Sequence, residues 1–402
     1  LFPDEKAKRM STVLKWRWVG LVLGLIGAGL GGVLFLSAWL LTSSLNEFAV
    51  VVAGYGLLIM LLGALVMATA SSRVSRSLAR RCDMRWTWML CLGAALLAFL
   101  VGVLTPASWQ VHPLFAVIHT ALVVLPGLFL FSLCVLVTPS ASRPSWRQVV
   151  MALTGGAGGI LLAMPVEIVG LVASALGTAA LTLLVPGGKA HLYRLLDQLQ
   201  QWVEAPPSAP DALLSLLTSP VVFLTLALTL GVVTPLVEEF AKGLIVGVLG
   251  RRRPLTLGAA FLLGAASGLG FAWFEGVSNG ALGLGGVAGW VGSIGTRFLA
   301  TGMHCLTSGL IGLGWAWFGQ GRRWRLLLTY GLAVFFHGAW NFNVLFGLGG
   351  ASLILETHPV LGALLLGIGA VIQITLIAIA LAGLVAIPWV LRVQRAAEPG
   401  EV

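Results

Sequence analysis

The segment Thr234–Gly243, "TPLVEEFAKG", places two adjacent glutamates and a lysine inside a run otherwise apolar enough to cross a bilayer. The whole chain has that apolar character. Of its 402 residues 58% are hydrophobic and 9% charged, against roughly 25% charged in a soluble domain. This excludes a water-soluble enzyme and predicts an all-α, polytopic membrane helix bundle. The four cysteines, Cys82, Cys91, Cys134 and Cys305, are scattered, with neither a disulfide framework nor a CxxC pair among them.

A spanning helix needs about 20 mostly apolar residues. Ten runs of that kind fall at 18–42, 47–70, 86–105, 113–138, 149–185, 212–250, 256–282, 286–318, 326–348 and 358–391. The basic start "KAKRMSTVLKWRW" leads into a run too long for a signal-peptide core, so an uncleaved first span is expected. With the N-terminus inside, cytoplasmic segments hold 20 Lys and Arg and external segments only Lys189 and Arg194, while Lys242 and Arg297 lie within spans. The positive-inside rule then puts both termini in the cytoplasm. The net charge of +10 is a topology signal, not a nucleic-acid one.

The run 149–185 contains "GGAGG" and Pro165. Two crossings there would move every later arginine cluster outside, so one crossing with a kink or interfacial extension is expected. The stretch near 190–205, "HLYRLLDQLQQWVE", has apolar residues at helical spacing and reads as an amphipathic helix on the outer surface. The expected organisation is an accessory membrane domain of four spans (1–148), a catalytic core of six spans (149–392) and a cytoplasmic tail (393–402).

Charges at membrane depth cost about 2.5–3.5 kcal/mol each on insertion scales and mark function by default. Of 14 acidic residues only Glu167, Glu238, Glu239 and Glu275 lie in expected spans, and of six histidines only His119, His304 and His337. All but Glu167 and His119 fall in spans six to nine, together with Lys242, Arg297 and Asn341. Counted from the nearest cytoplasmic arginines at 1.5 Å per residue, Glu238, His304 and His337 reach depths of roughly 20, 27 and 18 Å, and Glu275 roughly 33 Å.

Glu238 and Lys242 are one turn apart, whereas Glu239 points about 100° away from Glu238. Pro235 frees a backbone carbonyl just before them. Phe271 and Glu275 share a helix face, as do His337 and Asn341. A carboxylate beside histidines in a dry site is equipped to activate water, with imidazole and carboxamide stabilising an oxyanion. Plainer roles compete: a buried ion pair for Glu239 and Lys242, neutralisation of Glu275 by Arg297, and a hydrogen-bonded packing role for His119. Glu167 has no partner evident in the sequence.

These residues resemble a known family. "EEFAK" (Glu238–Lys242) is similar to the EExxK motif of the PrsW intramembrane proteases and "FAWFE" (Phe271–Glu275) to their FxxxE. His304 in "RFLATGMHCLTSG" and "HGAWN" (His337–Asn341) resemble the later histidine elements. The related prenyl-protein endopeptidases carry FxxxH where this chain has Glu275, which favours PrsW.

The resemblance implies an intramembrane endopeptidase with Glu238 as general base and His304 and His337 positioning water or stabilising the oxyanion. Asn341 would be an oxyanion donor and Glu239 a support, with Lys242, Phe271, Glu275 and Arg297 around them. It also implies a single-span, anti-sigma-factor-like membrane protein as substrate, in a bacterial inner or cytoplasmic membrane. PrsW proteins are often called metalloproteases, and Glu238, Glu275, His304 and His337 are possible zinc ligands. The HExxH spacing is absent, so no cofactor is favoured and zinc is the alternative. A proton-coupled transporter would call for internally repeated halves, and none is visible. A non-catalytic scaffold is the third reading.

Overall fold

The computed structural model describes residues 3–40, 42–71, 78–204, 216, 219–252, 254–356 and 358–397. Among them there is no strand, only an isolated bridge between Arg81 and Ser145. The principal helices are α1 (Pro3–Leu40), α2 (Thr42–Ala70), α3 (Thr87–Leu104), α4 (Phe115–Val137), α5 (Trp146–Leu183) and α6 (Gly188–Glu204). They continue as α7 (Pro220–Leu228), α8 (Thr234–Arg252), α9 (Leu257–Gly280), α10 (Val287–Gly319), α11 (Arg323–Glu356) and α12 (Pro359–Ala397). Arg73, Arg76, the proline-rich turn at 205–211, Arg253 and the end of the expected tail at 398–402 lie outside the described residues.

The described residues of each expected span are mainly helical, and eight helical stretches among the described residues are long and apolar enough to cross a membrane. The other two expected spans, α10 and α11, have the length but are not among those eight. The physical reason is that they carry Arg297, His304, His337, Asn341 and Asn343 within otherwise apolar sequence. The stretch 149–185 is a single helix, α5, with Pro165 inside it.

The sixth expected span is not uniform. A π-helical turn, Thr229–Val233, joins α7 to α8. Pro235 has no N–H to give the carbonyl of Gly231, and just upstream the chain shifts to wider bonds, with Thr234 N–H reaching Thr229 O.

The chain divides into two compact units, one formed by 1–160, 242–329 and 381–402 and the other by 161–241 and 330–380. In the first, α9 is buried without a break from Gly258 to Trp273. A helix buried all round needs small residues where its neighbours' backbones approach. Gly264 and Gly268 meet the carbonyls of Ser308 and His304 on α10, and Gly270 meets that of Leu153 on α5. Gly156 of α5 lies against Ser267 O, while α1 and α2 touch backbone to backbone at Gly24 with Gly63 and at Gly31 with Gly56. His119 uses both ring nitrogens: Nε2 lies 2.9 Å from Val277 O, and Nδ1 accepts from Trp290 Nε1 at 3.3 Å. That is the hydrogen-bonded packing role its position suggests.

In the second unit, α5 packs on α7 through the hydroxyls of Thr178 and Thr225, 2.6 Å apart, and through Gly170 against Val233. Gly338 of α11 sits on Gly231 O. Asn343 of α11 donates to Gly369 O and Gln373 Oε1 of α12 at 3.0 and 2.8 Å. The amphipathic stretch near 190–205 is the helix α6, with Leu195 buried and His191 Nε2 3.1 Å from Ser219 Oγ.

The glycine contacts set a test. Gly156→Ala would drive a Cβ into Ser267 O, whereas Gly158 has nothing within 4 Å of that position. Thermal unfolding in detergent should show G156A destabilised by about 1–3 kcal/mol and G158A at wild-type stability or slightly above it. Equal melting temperatures for the two variants would refute this account of the α5–α9 contact.

Candidate active site

Each unit holds a group of the polar residues expected in spans six to nine. In the second unit, α8 presents Glu238 and Glu239, and α11 presents His337, all buried. His337 Nδ1 lies 2.8 Å from Glu239 Oε1, and its Nε2 lies 3.7 Å from Glu238 Oε2. The first is a hydrogen bond, and the second is too long for one. Glu239 therefore fixes the ring through Nδ1, leaving Nε2 directed at Glu238, near enough that one water molecule beside the pair can bond to both.

Local backbone explains the approach of the two helices. A Cβ at Gly338, next to His337, would collide with Gly231 O, so glycine is needed there. Tyr330 Oη donates to Leu236 O at 2.6 Å, tying α11 to α8 near the glutamates. Beside them an apolar groove of about 520 Å³ is lined by Leu228, Val232, Leu236, Phe335, Gly338 and Phe342. Asn341, one turn beyond His337, is half-buried.

The first unit holds the other cluster. Lys242 Nζ, fully buried, lies 3.0 Å from His304 Nδ1 and 4.6 Å above the Phe271 ring. His304 Nε2 lies 2.7 Å from Glu275 Oε2, and Arg297 Nη1 lies 3.3 Å from Glu275 Oε1. An ammonium group only donates, so His304 Nδ1 carries a lone pair and the ring N–H is on Nε2, the side facing Glu275. The depth count put Glu275 about one turn beyond His304, and its side chain closes that distance by bridging Arg297 and His304. Ser267 Oγ donates to Lys242 O at 2.7 Å.

Glu238, His304 and His337 are buried side chains of the types that hold metal ions. His337 fits such a role, since a carboxylate on its far nitrogen is the usual support of a metal-bound imidazole. His304 does not fit as arranged: Nδ1 faces a lysine cation and Nε2 a carboxylate. A metal there would have to displace one of these partners.

Several polar residues of this region escaped the motif-based reading. Ser267, Tyr330, Asn343 and Gln373 each bond across helices. The signal available was a single polar residue in an apolar stretch, which does not distinguish a helix contact from an exposed site. The cysteines offer no alternative nucleophile near the surface loops: Cys82 is buried, and burial pushes its thiol up to about 12, with Arg143 only partly opposing.

Residues 208–378 match the family model described as PrsW family intramembrane metalloprotease. No curated protein and no solved structure matches the chain. The matched segment holds Glu238, Glu239 and Lys242, then Phe271, Glu275 and Arg297, and finally His304, His337 and Asn341. The chain thus carries a PrsW family domain and is a multi-pass membrane protein with intramembrane peptidase activity.

Placement of His337 against the two glutamates depends on the glycine beside it. Gly338→Ala should reduce peptide cleavage about 10²-fold, because displacements of ~1 Å at a reacting group cost that much. Gly331→Ala, with nothing within 4 Å of its Cβ position, should cleave like the wild type. Equal rates for all three proteins in one assay would remove this role for the Gly338–Gly231 contact.

Proposed function

We propose that the chain cleaves a peptide bond in or beside a transmembrane segment of a membrane protein by a glutamate mechanism, with Glu238 as general base. One observation carries this: His337, held by Glu239 at 2.8 Å, faces Glu238 across 3.7 Å. A water bonded to both groups would give a proton to Glu238 as its oxygen bonds the scissile carbonyl carbon. Glu238 would return the proton to the departing amide nitrogen as the C–N bond breaks. His337 orients the water, and Glu239 orients His337, much as a buried carboxylate steadies a catalytic imidazole.

Asn341 is the proposed hydrogen-bond donor to the oxyanion, and His304, whose N–H faces Glu275, is proposed to contribute through the fixed Lys242–His304–Glu275 array. For His304 the support is its fixed environment: Lys242 and Glu275 hold the ring from both sides, and Arg297 holds Glu275. Fixed dipoles and charges stabilise developing charge without reorganisation. Lys242 belongs to the same helix as Glu238, one turn on. A zinc-dependent version of the same protease is the alternative reading, and a zinc ion would have to displace Lys242 or Glu275 from His304. The apolar groove along Leu228, Val232 and Phe335 suits an apolar substrate segment, and a single-span protein of the anti-sigma-factor kind is the proposed class.

The test is cleavage of single-span peptides by purified protein in lipid discs, read by mass spectrometry. Glu238→Gln and His337→Ala should each lower the rate by about 10²–10⁴-fold, with wild-type cleavage unaffected by a zinc chelator. Loss of activity on chelation with recovery on adding zinc would replace this mechanism by a metal-dependent one.

A further inference from the structure

Hydrolysis consumes one water molecule per peptide bond, and the glutamates lie at membrane depth, so water must reach them through protein. In the second unit the polar side chains of two helices face one another. Between 161 and 183, α5 has four polar residues, Glu167, Ser174, Thr178 and Thr182, spaced seven, four and four apart, hence on one face. The stretch 221–233 has two, Thr225 and Thr229, one turn apart. Thr178 lies opposite Thr225, and Gly170 opposite Val233, eight residues away on each helix. The intervening Ser174 therefore falls opposite Thr229. Three residues before Gly170, Glu167 falls opposite Leu236, within a turn of Glu238 and Glu239. At the far end His191 of α6 meets Ser219.

This seam is buried: Ser174, Thr178, Thr225, Thr229 and Ser219 are each at most 9% exposed. Part of it is satisfied as interhelical contact. Thr178 Oγ1 lies 2.9 Å from Ser174 O, so its proton goes there and Thr225 donates across to Thr178. Thr229 differs. At 6% exposure, its hydroxyl has no hydrogen-bond partner among the described residues, and it opens the π turn. A buried hydroxyl left unpaired beside other polar groups is where ordered water binds.

We propose that the α5–α7 seam is a hydrated path from the α6 end of the unit to the level of Glu238 and Glu239, with Thr229 and Ser174 holding water midway. Glu167 is its inner polar end. The role as a supply of hydrolytic water rests on the glutamate mechanism above; the hydration itself does not. Glu167 and Ser174 lie outside the family-matched segment, so the path joins the peptidase domain to residues before it.

X-ray radiolytic footprinting of the full chain in lipid discs, read by tandem mass spectrometry, tests hydration without substrate. Radicals formed from bound water should modify Val233, on the seam, several-fold faster than Val232, which is exposed on the groove side. Equal or slower modification of Val233 would overturn the proposal. The near-isosteric T178V/T225V variant should abolish that difference and lower kcat about tenfold at unchanged KM, a barrier rise of ~1.4 kcal/mol. T178S/T225S should restore both. A seam that only holds helices together would show a lower melting temperature with kcat retained, which would also overturn it. Hydrated footprints with no peptide cleaved under any condition would leave the path standing and remove the protease mechanism.

Discussion

A carboxylate inside a bilayer must be held by groups the protein itself provides, because the hydrocarbon offers none. The arrangement around the glutamates follows from this. Glu239 is paired with His337, and Glu275 with Arg297 and His304. Each of these bonds also fixes a ring, so the groups that neutralise charge are the groups that orient the imidazoles. Removing one partner would leave an uncompensated buried charge as well as a loose ring, so stability and chemistry are coupled at every member of the clusters.

Side chains this short meet only if the helices carrying them come close. Glycine makes that possible in both units. Gly264 and Gly268 bring α9 onto α10 where His304 stands, and Gly338 brings α11 onto the π turn where Pro235 has disturbed the ladder. In lipid there is little hydrophobic gain from pressing helices together, so close backbone packing does that work. The 52 glycines of the chain include positions with open space beside them, such as Gly158 and Gly331, and these contribute nothing of the kind.

Much of the fold was legible in the sequence because span length and apolar content are properties of single helices. The helical runs, the unbroken helix α5 and the amphipathic α6 follow from such local rules. Candidate residues were legible because charge in an apolar run is conspicuous. Pairings between helices were not. Helical spacing separates Glu238 from Glu239 by about 100° but does not say which of them His337 holds. Nor does it reveal that Glu275 reaches His304, or that Asn343 bonds to Gln373. These depend on how far one helix slides along another, which apolar composition leaves undetermined. The π turn escaped for a related reason: Pro235 announces a disturbed bond, but several backbone adjustments relieve it.

That turn has a consequence for how the span is built. An extra residue inserted into a helix shifts the phase of everything before it by about 100° relative to everything after. Thr229–Val233 therefore works as a phase joint, setting the facing of α7 apart from that of α8. The stretch 220–252 is thus two helical halves whose facings are set separately, one carrying Thr225 and the other Glu238 and Glu239.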